Sequence, residues 1–93
     1  MTELEFMNLI PKSLKQNVEN TLEELMCAVL LEVPYSEDDV LDAVSDYIWI
    51  KDDNFTNIFY RMEDIVRASY PEHNPHELLK FFLTDIMCER LGI

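Results

Sequence analysis

Asp38, Asp42 and Asp46 recur at i, i+4 and i+8, the spacing that stacks side chains along one face of a helix. Carboxylates in such a row can receive a cationic surface. General acid–base catalysis asks for something different, one carboxyl shielded from water with a raised pKa. The acids of this chain fall on polar helix faces, so no such carboxyl is expected. Cys27 and Cys88 lie far apart within apolar helical stretches. Each is expected to behave as a small buried hydrophobe, because a catalytic thiolate wants a nearby His or a helix N-terminus. His73 and His76 flank Asn74-Pro75. Zinc needs three or four ligands, and no local Cys or Asp/Glu cluster completes a set. Surface histidines at a helix start are the expectation. The one glycine, Gly92, excludes the Gly-rich phosphate loops, which need several. The sequence therefore predicts a binding protein, not an enzyme, with neither metal nor cofactor.

Charge says what such a protein binds. Asp and Glu number 19 against 7 Lys and Arg, a net −12. Residues 1–15 sum to zero and residues 54–93 to −2. Between Gln16 and Asp53, eleven acids stand against Lys51 alone, a net −10. Nucleic acids and anionic lipid surfaces demand cationic contacts, so neither is an expected partner. Like charges at i, i+4 cost roughly 0.2–0.5 kcal/mol per pair, and Asp is a poorer helix former than Glu. A merely solvated face needs neither penalty, although charged faces are common. An acidic docking surface made of Glu37, Asp38, Asp39, Asp42, Asp46, Asp52 and Asp53 is expected.

The elements that must position these acids are helices. A hydrophobic content of 48% over 93 residues is too high for disorder and fits one domain. No run of about 18 apolar residues crosses a membrane, and Met1-Thr2-Glu3-Leu4-Glu5 is no export signal. With two cysteines and no disulfide framework, a cytoplasmic setting is expected.

Thr2 and Glu5 form a capping box for a short helix that Pro11 ends. Pro11 suits the first position of the next helix, whose stripe is Leu14, Val18, Leu22, Leu25, Val29 and Val33. Pro34 stops it. Ser36 caps a helix to roughly Ile50 whose acidic first turn sits on the positive end of the dipole. Its stripe is Val40, Leu41, Val44, Tyr47 and Ile48. Ile48-Trp49-Ile50 reads either as the end of that helix or as a brief extended piece, and Trp49 as either core or interface. Asp53 caps a helix striped by Phe55, Ile58, Phe59, Met62, Ile65 and Val66, closed by Pro71. Asn74-Pro75-His76-Glu77 starts the last helix, with Leu79, Phe82, Leu83 and Ile86 inside and Gly92 at its stop. The methionines (Met7, Met26, Met62, Met87) and the phenylalanines are expected in the core. The fold class is all-α: a compact bundle of about four main helices with a short N-terminal one.

Carboxylates one helical turn apart are separated by about 6 Å, comparable with neighbouring phosphates of a DNA strand. A rigid row of them fills a cationic groove built for a duplex. Ser36-Glu37-Asp38-Asp39-Val40-Leu41-Asp42-Ala43-Val44, followed by Asn57-Ile58-Phe59-Tyr60-Arg61-Met62, resembles the Ocr antirestriction proteins of phages. The closing Ile86-Met87-Cys88-Glu89-Arg90-Leu91-Gly92-Ile93 is similar in pattern to that family's last long helix. These short motifs fall within roughly residues 23–93. The resemblance implies an all-helical, dimeric phage protein acting in the bacterial host cell. It would imitate bent duplex DNA and occupy the DNA site of type I restriction–modification enzymes. Asp38, Asp39 and Asp42 match family acids on the mimic surface, and Thr56, Tyr60 and Met62 fall where the family's dimer contact lies. The chain departs from the pattern in lacking an acidic C-terminal tail, in its nearly neutral last helix, and in residues 1–15.

A homodimer is also expected from the apolar positions of the Asp53–Ser69 helix, which exceed one core-facing stripe. Phe55 and Phe59 thus join Thr56, Tyr60 and Met62 as the expected contact. The alternative is an immunity or inhibitor protein that plugs one basic nuclease toxin, with Tyr47 and Trp49 as its aromatic hot spot. A third reading is an acidic helical adaptor without a link to nucleic-acid enzymes.

Overall fold

Thr2 opens the first helix as its capping box requires. Its hydroxyl accepts the Glu5 N–H, and the Glu5 carboxylate accepts the Thr2 N–H. The computed structural model describes residues 1–50 and 54–93, and the side chains of 1–48 and 58–93. Its elements are α1 (Glu3–Leu9), a single 3-10 turn (Lys12–Leu14), α2 (Lys15–Leu31), α3 (Glu37–Ile50), α4 (Asn54–Ser69) and α5 (Pro75–Leu91). Among the described residues there is no strand, and the fold is all-α. The backbone of Ile48-Trp49-Ile50 is the end of α3, not an extended piece. Asp52, Asp53 and the expected Asp53 cap lie outside the described residues, as do the side chains of Trp49, Phe55 and Thr56.

Local signals account for most helix ends. Asn74 caps α5 by accepting the N–H groups of His76 and Glu77 at 3.0 and 3.1 Å, with Pro75 in the first turn. Gly92 (φ 73°) closes α5 in the left-handed region. Two expectations fail near prolines. Pro11 is not the first residue of α2: with ψ at 147° it stands ahead of the 3-10 turn, and its carbonyl accepts the Leu14 N–H. Val33 does not continue the α2 stripe. The helix has ended at Leu31, and Val33 sits at φ 47°, 60% exposed. A β-branched side chain in that region is strained.

α5 is the central element. It packs against α1, α3 and α4, while α2 packs on α3. Leu79, Phe82, Leu83, Ile86, Met87 and Cys88 are all buried, so α5 faces protein on more than one side. The other helices each bring a stripe: Val18, Leu22, Leu25 and Val29 from α2; Val40, Ala43, Val44 and Tyr47 from α3; Phe59, Met62 and Val66 from α4. α1 contributes Phe6 and Ile10. Phe82 gathers aromatic edges, with Phe6 at 6.3 Å and Tyr70 at 5.5 Å between ring centroids. The buried hydroxyls of Thr21 and Thr84 donate to the carbonyls of Asn17 and Lys80, one turn back. A radius of gyration of 12.3 Å matches the roughly 12 Å of a compact chain this long.

The placement corrects several expectations about the core. Phe81 is half exposed, and Cys27 is exposed instead of buried. Cys88 is buried, which pushes its thiol pKa up. Phe59 and Met62, expected at a dimer contact, are packed into the chain's own core, because the α4 face that carries them lies inward. Of that expected contact, Tyr60 is the exposed member among the described side chains.

Candidate functional site

α3 begins where the chain leaves Pro34 and is capped in both directions. The Ser36 hydroxyl accepts the Asp39 N–H at 3.3 Å, while one Asp39 carboxylate oxygen accepts the Tyr35 and Ser36 N–H groups at 3.0 and 3.2 Å. Asp39 therefore fixes the start of the helix. Inward-facing Val40, Val44 and Tyr47 set the rotation of α3 about its axis. That rotation sends Glu37, Asp38, Asp42 and Asp46 to the surface, where all four are exposed. At 1.5 Å rise per residue, the row Asp38–Asp42–Asp46 has steps of about 6 Å.

Residues 16–50 contain no Lys, Arg or His, and Lys51, the one cation of the acidic segment, lies outside the described residues. One cation does reach the segment, at its far end: Arg90 donates to Glu23 at 3.1 Å. Among the described residues, no cation lies within ion-pair distance of Glu37, Asp38, Asp42 or Asp46. Among the described residues the field over α3 is therefore uncompensated locally, as a surface that attracts cations requires.

Between the end of α2 and α3 runs a groove of about 340 Å³, lined by Glu32, Val33, Tyr35, Asp39, Asp42 and Asp46. The chain that runs into it is unlike the rest of the acidic segment. Leu31 (83% exposed) and Tyr35 (84%) stand in solvent, with Val33 and Leu30 also exposed. The periodicity of α2 carried a signal for part of this: Leu30 and Leu31 fall off the Leu22–Leu25–Val29 stripe.

Tyr47 is buried, as its place on the α3 stripe requires and against the hot-spot role that the alternative reading gave it. Its hydroxyl lies 3.5 Å from the Glu24 carboxylate. Burial, and secondarily that carboxylate, push its pKa up to about 12. Tyr47 is a core residue joining α3 to α2. His73 and His76 are exposed as expected, and His76 Nδ1 meets a Glu63 oxygen at 2.6 Å, tying the start of α5 to α4. Among the described residues, no three His, Cys, Asp or Glu side chains come together as a metal-holding group. Nor is any described helix long and apolar enough to cross a membrane. The site is thus a surface: an acidic helix face beside a small groove with an apolar rim.

Compared with models of known families, with curated proteins and with solved structures, the chain has no significant match.

Proposed function

We propose that this chain inhibits a DNA-binding enzyme by imitating the charge of a duplex and occupying its cationic DNA groove. The observation that carries the reading is the exposed, unpaired row Asp38–Asp42–Asp46 on a helix whose rotation is fixed by its buried side. A fixed row can displace phosphates without first being ordered, which keeps the entropic cost of docking low. On the resemblance to the Ocr proteins, the target is a host type I restriction–modification enzyme, and the chain is a phage protein acting in the bacterial cytoplasm. It acts by occupancy and not by turnover. Phe59 and Met62 are spent in the core, so the homodimer that the resemblance implies is proposed to meet through the exposed Tyr60. The test is competition: the protein is titrated into a complex of such an enzyme with labelled duplex. Displacement that weakens steeply with salt supports the reading, and persistence of the DNA complex at saturating protein contradicts it.

A second reading is favoured by one observation. Leu31, Val33 and Tyr35 give the acidic face an exposed apolar rim, and apolar and aromatic anchors are how a protein selects one partner. On that reading the chain neutralises a single basic nuclease. Protection against one enzyme, with no inhibition of unrelated DNA-binding proteins, distinguishes it.

A further inference from the structure

The groove at the end of α2 places two unlike surfaces side by side. Leu31, Val33 and Tyr35 are exposed within five residues of chain, and Val33 and Tyr35 line the groove together with Glu32, Asp42 and Asp46. An apolar cluster in water without a partner is a cost that soluble chains usually avoid. Val33 adds to it, because φ 47° suits Gly or Asn and strains a β-branched residue. Neither the exposure nor the strain serves the fold, since Val33 contributes nothing to the core.

Charge complementarity identifies what covers this rim. Nucleic acid and anionic lipid are repelled by its carboxylates. A second copy docked symmetrically would set carboxylates against carboxylates. A protein segment with an apolar side chain flanked by arginines meets every feature. The apolar group covers Val33, one guanidinium stacks on the Tyr35 ring, and others reach Glu32, Asp42 and Asp46. We infer that this groove docks an arginine-rich amphipathic segment of the target protein. The inference rests on the proposed occupancy of a cationic surface and adds a contact that DNA itself does not make.

Two synthetic probes test it by fluorescence anisotropy: a peptide with leucine and arginine at helical spacing, and an oligoarginine of equal charge. The wild-type chain is expected to bind the leucine–arginine peptide about tenfold more tightly, the yield of one well-covered apolar contact. The double variant Val33→Asn/Tyr35→Ser should lose that advantage and bind oligoarginine only about two- to fivefold more weakly, the loss of the Tyr35 stacking. A cooperative melt no lower than that of the wild type shows that the variant is folded, and Asn suits the backbone at position 33. Equal binding of the two peptides, or a double variant that keeps the tenfold advantage, overturns the docking groove and leaves the charge-based reading standing. If the leucine–arginine peptide binds and the chain fails to displace duplex from the enzyme, the groove stands and DNA mimicry falls. A wild-type dimer that the double variant converts to monomer, seen by sedimentation, makes the occupant a second copy and overturns the inference.

Discussion

Arg90 grips Glu3 through two N–H···O bonds, Nε to Oε1 at 2.6 Å and Nη2 to Oε2 at 3.0 Å, across 87 residues of sequence. Its third contact, Nη1 to Glu23 at 3.1 Å, makes it a joint among α1, α2 and α5. Both partners in the fork are mostly shielded, with side-chain exposures of 21% and 31%, so the pair resists salt better than an open surface bridge. Arg90→Met keeps most of the aliphatic stem and removes the fork. It should lower stability by about 1–2 kcal/mol, read by urea denaturation, with a fall in Tm of about 4–8 °C per kcal/mol.

The same contact sets a pH dependence. The Arg90 hydrogen bonds hold the Glu3 carboxyl below the ordinary carboxylate value. A carboxyl lowered in the folded state contributes stability that is fully present above its unfolded pKa, near 4.3. That contribution is lost as pH falls through the folded value. Glu3→Gln should therefore melt below wild type at pH 7, and the gap should close as the solution is acidified below pH ~4. Comparing the two proteins at each pH removes the effect of relieving the overall negative charge.

Val33→Asn should raise stability, contrary to the usual outcome of replacing an apolar residue. The side chain lies in solvent, and its left-handed backbone costs a residue of its type about 1–2 kcal/mol. A gain of about 0.5–1 kcal/mol in chemical denaturation is expected. If the variant is destabilised, Val33 has a structural role that its exposure does not reveal.

Asn74→Ala removes the acceptor of two N–H groups at the start of α5, at a cost of about 1 kcal/mol. Because Asn74 is remote in sequence from the acidic face, binding should be unaffected where the variant is folded. Thermal melts and the competition assay together check this.

What could be read from the sequence was local. The Thr2–Glu5 and Asn74–Glu77 caps form between residues two or three apart, so residue types and spacing specify them. The stripes of α2 to α5 follow one helical period and emerged largely as expected. The acidic row was legible for the same reason, since i, i+4 spacing shares a face wherever the helix packs. Events that depend on the end of a period or on distant chain were not legible. Val33 continued the α2 spacing arithmetically, but Leu31 ends the helix, which turned an expected core residue into the rim of a groove. Arg90 finds Glu3 only in the folded chain. Cys27 fell on the exposed side of α2 because apolar type alone does not say which side of a helix meets a neighbour.

On the proposed function, the α3 carboxylates, not net charge in general, make the binding surface. The decisive comparison is Asp38→Asn/Asp42→Asn/Asp46→Asn against a control with the same change in charge, Asp64→Asn/Glu72→Gln/Glu77→Gln. Glu89 is left out of the control because it accepts the Glu3 N–H. Each protein competes with labelled duplex for a type I restriction–modification enzyme over a range of salt. The account predicts that the α3 triple loses about tenfold or more in affinity and shows a shallower salt slope, since fewer ions are exchanged. Its fold should be intact, and the i, i+4 repulsion relieved by tenths of a kcal/mol. The control should change affinity by no more than about twofold, as distant exposed charges are screened. Equal losses in both triples would assign the effect to net charge and contradict the account, and no loss in either would reduce the α3 row to a solvated face.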